Sequence, residues 1–324
     1  MSNIKSALLA ICLGTAAIGS AFAQAWPPAT VRIVVPYPPG TEPDVLARDV
    51  GNILAKQTGK VFVIENKPGA NSIIGTDMVA KADGDGSTLL MVDRLAVVTN
   101  PQLYTKLPYK WEESLKPVSD LAGVNLFVGA REGAPFKTFA EFIAFAKANP
   151  QKVNVGTGGN GHVTHIGMEM LAQAHGLQFT YVPYKGVGPA VAGLLSGEVD
   201  VGMAGGLVMQ GHAKTGKIRV LTVGDTKRAS FMPDVPTLSE AGGKPGTIPS
   251  TVFSMLAPAK VPDAVVAQIS RAVAAAVSTP ELKANYAARG LDVMPTTPEE
   301  TMALMKREAT KYEKIIRDAG IKIE

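Results

Sequence analysis

Short runs of β-branched and apolar residues alternate along this chain with segments whose apolar positions recur at helical spacing. Val31 to Pro36 is the first such run, and the turn residues Pro38-Pro39-Gly40 end it. Beyond it Leu46, Val50, Ile53 and Leu54 fall at i, i+4, i+7 and i+8, which is one face of a helix. Thr41 with Asp44 fits a capping box in its S/T-x-x-D/E form, and Pro43 suits the first turn. The alternation continues with a strand over 61–65, a helix over about 73–81 and a strand over 88–92. A second set begins near Gly123: strand 124–128, helix 139–148, strand 153–155, helix 163–174, strand 179–182, helix 187–195, and strands at 199–201 and 218–223. After a proline-rich stretch from Pro233 to Pro249 come a strand over 252–256 and two or three helices, the clearest at 262–277 and 298–318. Short strands alternating with helices predict parallel sheets built from crossover units. The expected organisation is α/β in two lobes, lobe I from 24–122 plus 232–324 and lobe II from 123–231.

The N-terminus carries a separate signal. Lys5 is followed by small and apolar residues through Ala21, and Ala21-Phe22-Ala23 forms an A-x-A site. This is the layout of a secretory signal peptide over residues 1–23, cleaved after Ala23. The apolar run is shorter than the ~20 residues of a membrane span. Cys12 comes too early, and after too bulky a residue, for a lipidation site. With the leader gone no cysteine remains, so disulfides, thiolate nucleophiles and Cys-type zinc sites are excluded. A chain of roughly 300 residues relies on hydrophobic burial instead. The net charge of +4 includes Lys5, and basic and acidic residues are interspersed, which argues against a nucleic-acid groove. A mild positive potential favours small anions, weakly.

Gly156-Thr157-Gly158-Gly159-Asn160-Gly161 satisfies G-x-G-x-x-G between an expected strand and an expected helix. A dinucleotide fingerprint also needs an acidic residue about 20 positions on, at the end of the next strand. That strand ends Val182-Pro183-Tyr184-Lys185, with no carboxylate, so the nucleotide reading fails. The physics beneath the motif remains: glycines admit a ligand close to the backbone, and free amides at a helix N-terminus attract an anion. Pro38 to Thr41 and Asn66 to Asn71 are further strand-to-helix loops of this kind. Helix N-termini from two lobes facing one cleft would hold a carboxylate, at the usual place for ligands in open α/β sheets.

Several segments occur in a familiar order: Val35-Pro36-Tyr37-Pro38-Pro39-Gly40, Asp44, Ala47-Arg48, Glu65 to Ala70, Val182 to Gly186, Gly197-Glu198-Val199-Asp200, Pro233 to Thr237 and Ala257-Pro258. The ordered set resembles the substrate-binding receptors of tripartite tricarboxylate transporters, the TctC-like or Bug family, over essentially the whole chain after the leader. The resemblance implies a type II periplasmic-binding-protein fold with a ligand cleft between two lobes. It further implies a monomer with no catalysis and no cofactor, binding a small carboxylate or zwitterionic solute and passing it to the membrane subunits of a tripartite transporter. The ligand carboxylate is then expected at Tyr37–Thr41 and Thr157–His162. The family's Pro-Gly-Gly loop reads Gly40-Thr41-Glu42 here, and its small polar loop after strand 88–92 reads Asp93-Arg94-Leu95.

The residues expected at the site are Tyr37, Pro39, Gly40, Thr41, Asp93, Arg94, Thr157, Asn160, Gly161, His162 and Asp200. On this reading Arg94 pairs with a distal carboxylate while Glu42 and Asp93 approach a cationic group. Glu42 has a plainer role open to it, settled on its own helix dipole. Two alternatives stand beside the receptor. His162, His165 and Glu169 lie at i, i+3 and i+7 and offer a zinc site for a metal-dependent hydrolase, and a solute sensor would look the same while feeding a signalling partner.

Overall fold

The computed structural model describes residues 26–318, 320 and 321. The expected leader and its cleavage point lie outside the described residues. In the first half of the fold, β1 (Thr30–Val35) pairs in parallel with β2 (Val61–Asn66) on one side and β3 (Thr88–Asp93) on the other. β3 then runs antiparallel to β9 (Ser250–Pro258), and β9 antiparallel to β4 (Leu115–Arg131). The far part of β4 pairs antiparallel with β7 (Val201–Gly205) and β8 (Ile218–Val223). From β7 the sheet continues in parallel through β5 (Asn154–Thr157) to β6 (Thr180–Pro183), while β10 (Leu291–Val293) adds to β4. The strand order is therefore β2-β1-β3-β9-β4-β7-β5-β6.

The expectation of parallel sheets holds for the crossover units and fails at their junction. β4 and β9 enter without a crossover helix and run against their neighbours. Residues 115–125 of β4 pair with β9, and residues 126–131 pair with β7 and β8, so one strand threads both halves. Its 17 residues exceed the expected 124–128 because Pro117, Asp120 and Asn125 interrupt the apolar alternation. Register shifts at Pro117/Ser119 and Asp120/Ala122 absorb those residues as irregularities of the ladder.

The proline-rich stretch also lies elsewhere than expected. Thr237 bridges Val223, the amide of Leu238 donates to the Val223 carbonyl at 2.9 Å, and the Leu238 side chain is buried. Residues 232–249 thus pack on β8 with the second half, and the chain returns to the first half only with β9. The prolines mark a loop, whereas Leu238 decides where that loop docks.

Eleven helices fall within the described residues: α1 (Glu42–Thr58), α2 (Ile73–Ala80), α3 (Arg94–Leu103), α4 (Trp111–Ser114), α5 (Phe139–Ala148), α6 (Val163–His175), α7 (Val187–Ser196), α8 (Gly206–Lys214), α9 (Asp263–Val277), α10 (Pro280–Ala288) and α11 (Pro298–Asp318). The face of α1 read from the sequence is buried: Leu46, Val50 and Leu54 join Ile33 of β1 and Ile269 and Val273 of α9 in one core. Each such side chain contributes ~1.5–3 kcal/mol on burial. The capping box does not form. The Thr41 hydroxyl donates to the Pro38 carbonyl at 2.7 Å, and Asp44 instead accepts the Gly40 amide at 2.8 Å. In the second half Phe142 stacks on Phe179 at 5.7 Å, within a buried aromatic group that includes Phe136 and Phe139. In both halves a helix begins where a parallel strand ends, and these ends face a shared cleft.

Candidate functional site

The cleft is a cavity of about 620 Å³ walled by both halves of the fold. The first half contributes Tyr37, Gly40, Thr41 and Glu42 from the β1–α1 loop, and Asp93 and Leu95 from the β3–α3 junction. The second half contributes Gly161 to Thr164, Lys185 to Pro189, and Gly205 with Leu207 and Val208. Arg289, at the C-terminal end of α10, also lines it, as do Val124 and Leu126 of β4 and Thr251 and Phe253 of β9. Five helix N-termini thus meet here: α1, α3, α6, α7 and α8. Each carries roughly half a positive charge from its free amides.

Two of these termini are capped by side chains. Asp93 accepts the Leu95 amide at 3.0 Å and caps α3, while its own amide donates to the Tyr37 hydroxyl at 3.1 Å. Burial pushes the Asp93 carboxyl up to about 7, with the negative Glu308 adding to it and the Leu95 bond and Arg94 opposing. Burial likewise raises the Tyr37 phenol, and the neighbouring Asp93 charge raises it further. His162 caps α6, its Nδ1 accepting the Thr164 amide at 3.2 Å. Burial, reinforced by His165, lowers its pKa to about 4, so the ring is neutral near pH 7. With Nδ1 accepting, the neutral ring carries its proton on Nε2 and offers a donor. The ring lies over Gly158, where a Cβ would approach its Nδ1 at 2.8 Å, so glycine is required there by space.

The other three termini have no side-chain cap. Thr41 at α1 makes no capping bond, and α7 and α8 begin at Gly186 and Gly205, which have no side chain to give. The first-turn amides of α7 and α8 therefore stay available to an anion in the cleft.

The structure brings together Tyr37, Gly40, Thr41, Asp93, Gly161 and His162 of the expected residues, and it separates the rest. Pro39 and Asn160 are exposed outside the cleft wall. Thr157 is buried beneath it, with its hydroxyl against Gly159. Arg94, expected to read a distal carboxylate, turns away from the cleft. Its Nε and Nη2 donate to Glu308 at 2.8 and 2.7 Å, its Nη1 donates to Asp120, and it is 4% exposed. What reads as a loop in sequence is the first turn of α3, which faces Arg94 toward α11. Asp200 lies away from the cleft, because β7 begins just after it and meets the cleft at the other end, Gly205. Asp200 instead accepts from Arg131 Nε at 2.9 Å and from the Asn154 amide at 3.0 Å.

The helix face proposed for zinc is otherwise engaged. His165 Nδ1 accepts the Gly161 amide at 3.0 Å, its Nε2 is 4.0 Å from Glu169, and burial lowers its pKa to about 4. No group of three His, Cys, Asp or Glu side chains is arranged for a metal among the described residues. Sequence reasoning missed Gly186 to Gly188, Gly205 and Arg289. The first two follow strand ends, so the rule applied to Gly156–Gly161 reaches them once the strands are placed. Arg289 arrives from a helix far along the chain and leaves no local sign.

The sequence model of the tripartite tricarboxylate transporter family receptors matches residues 46–321. Protein BugT of Bordetella pertussis is 30% identical over 98% of this chain and 98% of its own length. Among solved structures, Rpa4515 of R. palustris, in complex with adipate, is 27% identical with a TM-score of 0.84 over 92% of this chain and 100% of that one. MatC from Rhodopseudomonas palustris, with bound malate, is 28% identical with a TM-score of 0.79 over 89% of this chain and 98% of that one. With a cleft between two α/β halves and this similarity along nearly its whole length, the chain belongs to the tripartite tricarboxylate transporter receptor family of solute-binding proteins.

Proposed function

We propose that this protein acts in the periplasm as a receptor for a small organic acid and delivers it to the membrane subunits of a tripartite transporter. The observation that carries the reading is the set of uncapped helix N-termini of α7 and α8 opening onto a largely apolar cleft. A ligand carboxylate placed there takes hydrogen bonds from backbone amides that lack a side-chain cap. Tyr37, Gly40, Thr41, Asp93, Gly161 and His162 are proposed to surround it. Two relatives of similar fold hold adipate and malate, both small carboxylic acids. We place the hinge where β4 passes between halves at 125/126 and where β9 begins at Ser250, giving lobes of 26–125 plus 250–321 and 126–249. A ligand that touches both lobes only when they are closed shifts the population toward closure.

Thermal melting of the ligand-free protein against a panel of organic acids tests this. A ligand at about a thousand times its Kd adds ~4 kcal/mol and shifts the melt by several degrees. A panel of mono-, di- and amino-carboxylic acids with no stabilising member contradicts the proposal.

A further inference from the structure

Glu42 stands in the first turn of α1 in the first half, yet its side chain crosses the cleft. Its two carboxylate oxygens lie 3.2 and 3.6 Å from the point that a Cβ on Gly205 would occupy. Gly205 is the N-cap of α8 in the second half. One of the open helix termini therefore already has a carboxylate beside it, supplied by the protein. No described residue donates a hydrogen bond to Glu42, and Arg289 is the charge that attracts it. Arg289 is shared, lying 4.0 Å from Asp49 and over the Tyr286 ring. Besides Glu42 and Arg289 the charged side chains on the cleft wall are Asp93 and Lys185. Uncharged polar groups come from the neutral His162 and from hydroxyl and amide side chains such as Tyr37, Thr41 and Asn71, and the apolar part from residues such as Leu95, Leu126, Leu207 and Phe253.

Resting on the receptor reading above, we infer that Glu42 determines specificity. Its carboxylate takes the position at α8 that the second carboxylate of a diacid would need, so the cleft selects a monocarboxylate whose far end is apolar or carries an ammonium or amide donor. The ligand carboxylate goes to the N-terminus of α7, where Val187 and Gly188 of its first turn line the cleft. A second carboxylate would then stand beside Glu42 between low-dielectric walls, where like charges repel strongly. An ammonium in the same place meets an uncapped carboxylate. Burial holds Glu42 above its ordinary pKa with only Arg289 opposing, the condition of a carboxylate short of cationic partners.

Titration calorimetry on the whole protein decides this with matched ligands: butanoate, succinate and 4-aminobutanoate, then hexanoate, adipate and 6-aminohexanoate. In the wild type each diacid binds at least about tenfold more weakly than its amino-acid counterpart, the scale of one charged hydrogen bond. Glu42→Gln narrows that ratio about tenfold or more by strengthening the diacid and weakening the amino acid. A diacid that binds tightest in the wild type overturns the inference, as does a ratio that Glu42→Gln leaves unchanged. Should the variant fail to fold, the wild-type ratios alone decide. If none of the six binds while another acid stabilises the protein in the melting panel, the inference falls and the receptor reading stands.

Discussion

Replacing Arg94 with alanine removes the cation that bridges Asp120 and Glu308 at the junction of α3, β4 and α11. The side chains of Arg94 and Asp120 are 5% and 1% exposed, while Glu308 is 23% exposed and partly solvated. Asp120 therefore governs the outcome: deprived of Arg94, its carboxylate keeps, among the described residues, the Ser254 hydroxyl at 2.5 Å as its side-chain donor. Removing one member of a buried pair costs ~3–5 kcal/mol, because the other charge stays out of water. Urea unfolding near neutral pH reads this loss as a lower midpoint at unchanged slope.

The pH dependence gives a second check on the same variant. Burial already holds Asp120 above its ordinary value, with Arg94 the first influence opposing it. In Arg94→Ala that opposition is gone, so the folded pKa moves further above the unfolded value of ~3.9. The contribution of a group shifted this way is fully present below its unfolded pKa and is lost as pH rises through its folded one. The deficit against the wild type is thus largest at neutral and higher pH and closes toward pH ~4. Ligand affinities for mono- and dicarboxylates should fall together or not at all, since Arg94 does not line the cleft. A loss under ~1 kcal/mol, a deficit independent of pH, or a selective loss of dicarboxylates would refute the reasoning.

Three further outcomes follow from the cleft. Gly158→Ala should displace the His162 ring from its cap on α6, costing ~1 kcal/mol or more and weakening carboxylate binding; unchanged melting and affinity would contradict the close contact. His162 and His165 should titrate near 4 by NMR in the folded protein, so the stability they contribute is present above ~6.5 and lost as pH falls toward 4. Midpoints near the free value would show the rings solvated. Asp93 has the opposite sign: raised to about 7, its contribution is full below ~3.9 and lost as pH rises through about 7. Comparing melting temperatures of the wild type and Asp93→Asn from pH 4 to 8 should show the wild type losing ground to the variant as pH rises, and parallel curves would count against the assignment.

The sequence by itself determined what neighbours along the chain determine. Leu46, Val50 and Leu54 fix the buried face of α1 whatever α1 later packs against, because helical period places them together. The apolar runs of β1, β3 and β8 and the glycines after β5 are local in the same sense, and the ordered motifs carried the family. The tertiary structure decided whatever depends on which elements meet. β4 is long because partners on both sides accommodate its polar residues and bulges, a property of the ladder and not of its own alternation. Arg94 and Asp200 look alike in sequence, as charges beside strand ends, yet docking of α11 takes the first and the direction of β7 carries the second away from the cleft. Arg289 and Gly205 face Glu42 from far along the chain, and only the folded sheet brings them within reach. Hydrophobic period is a short-range signal, whereas the pairing of a charge is settled by the nearest element in space, which no local pattern encodes.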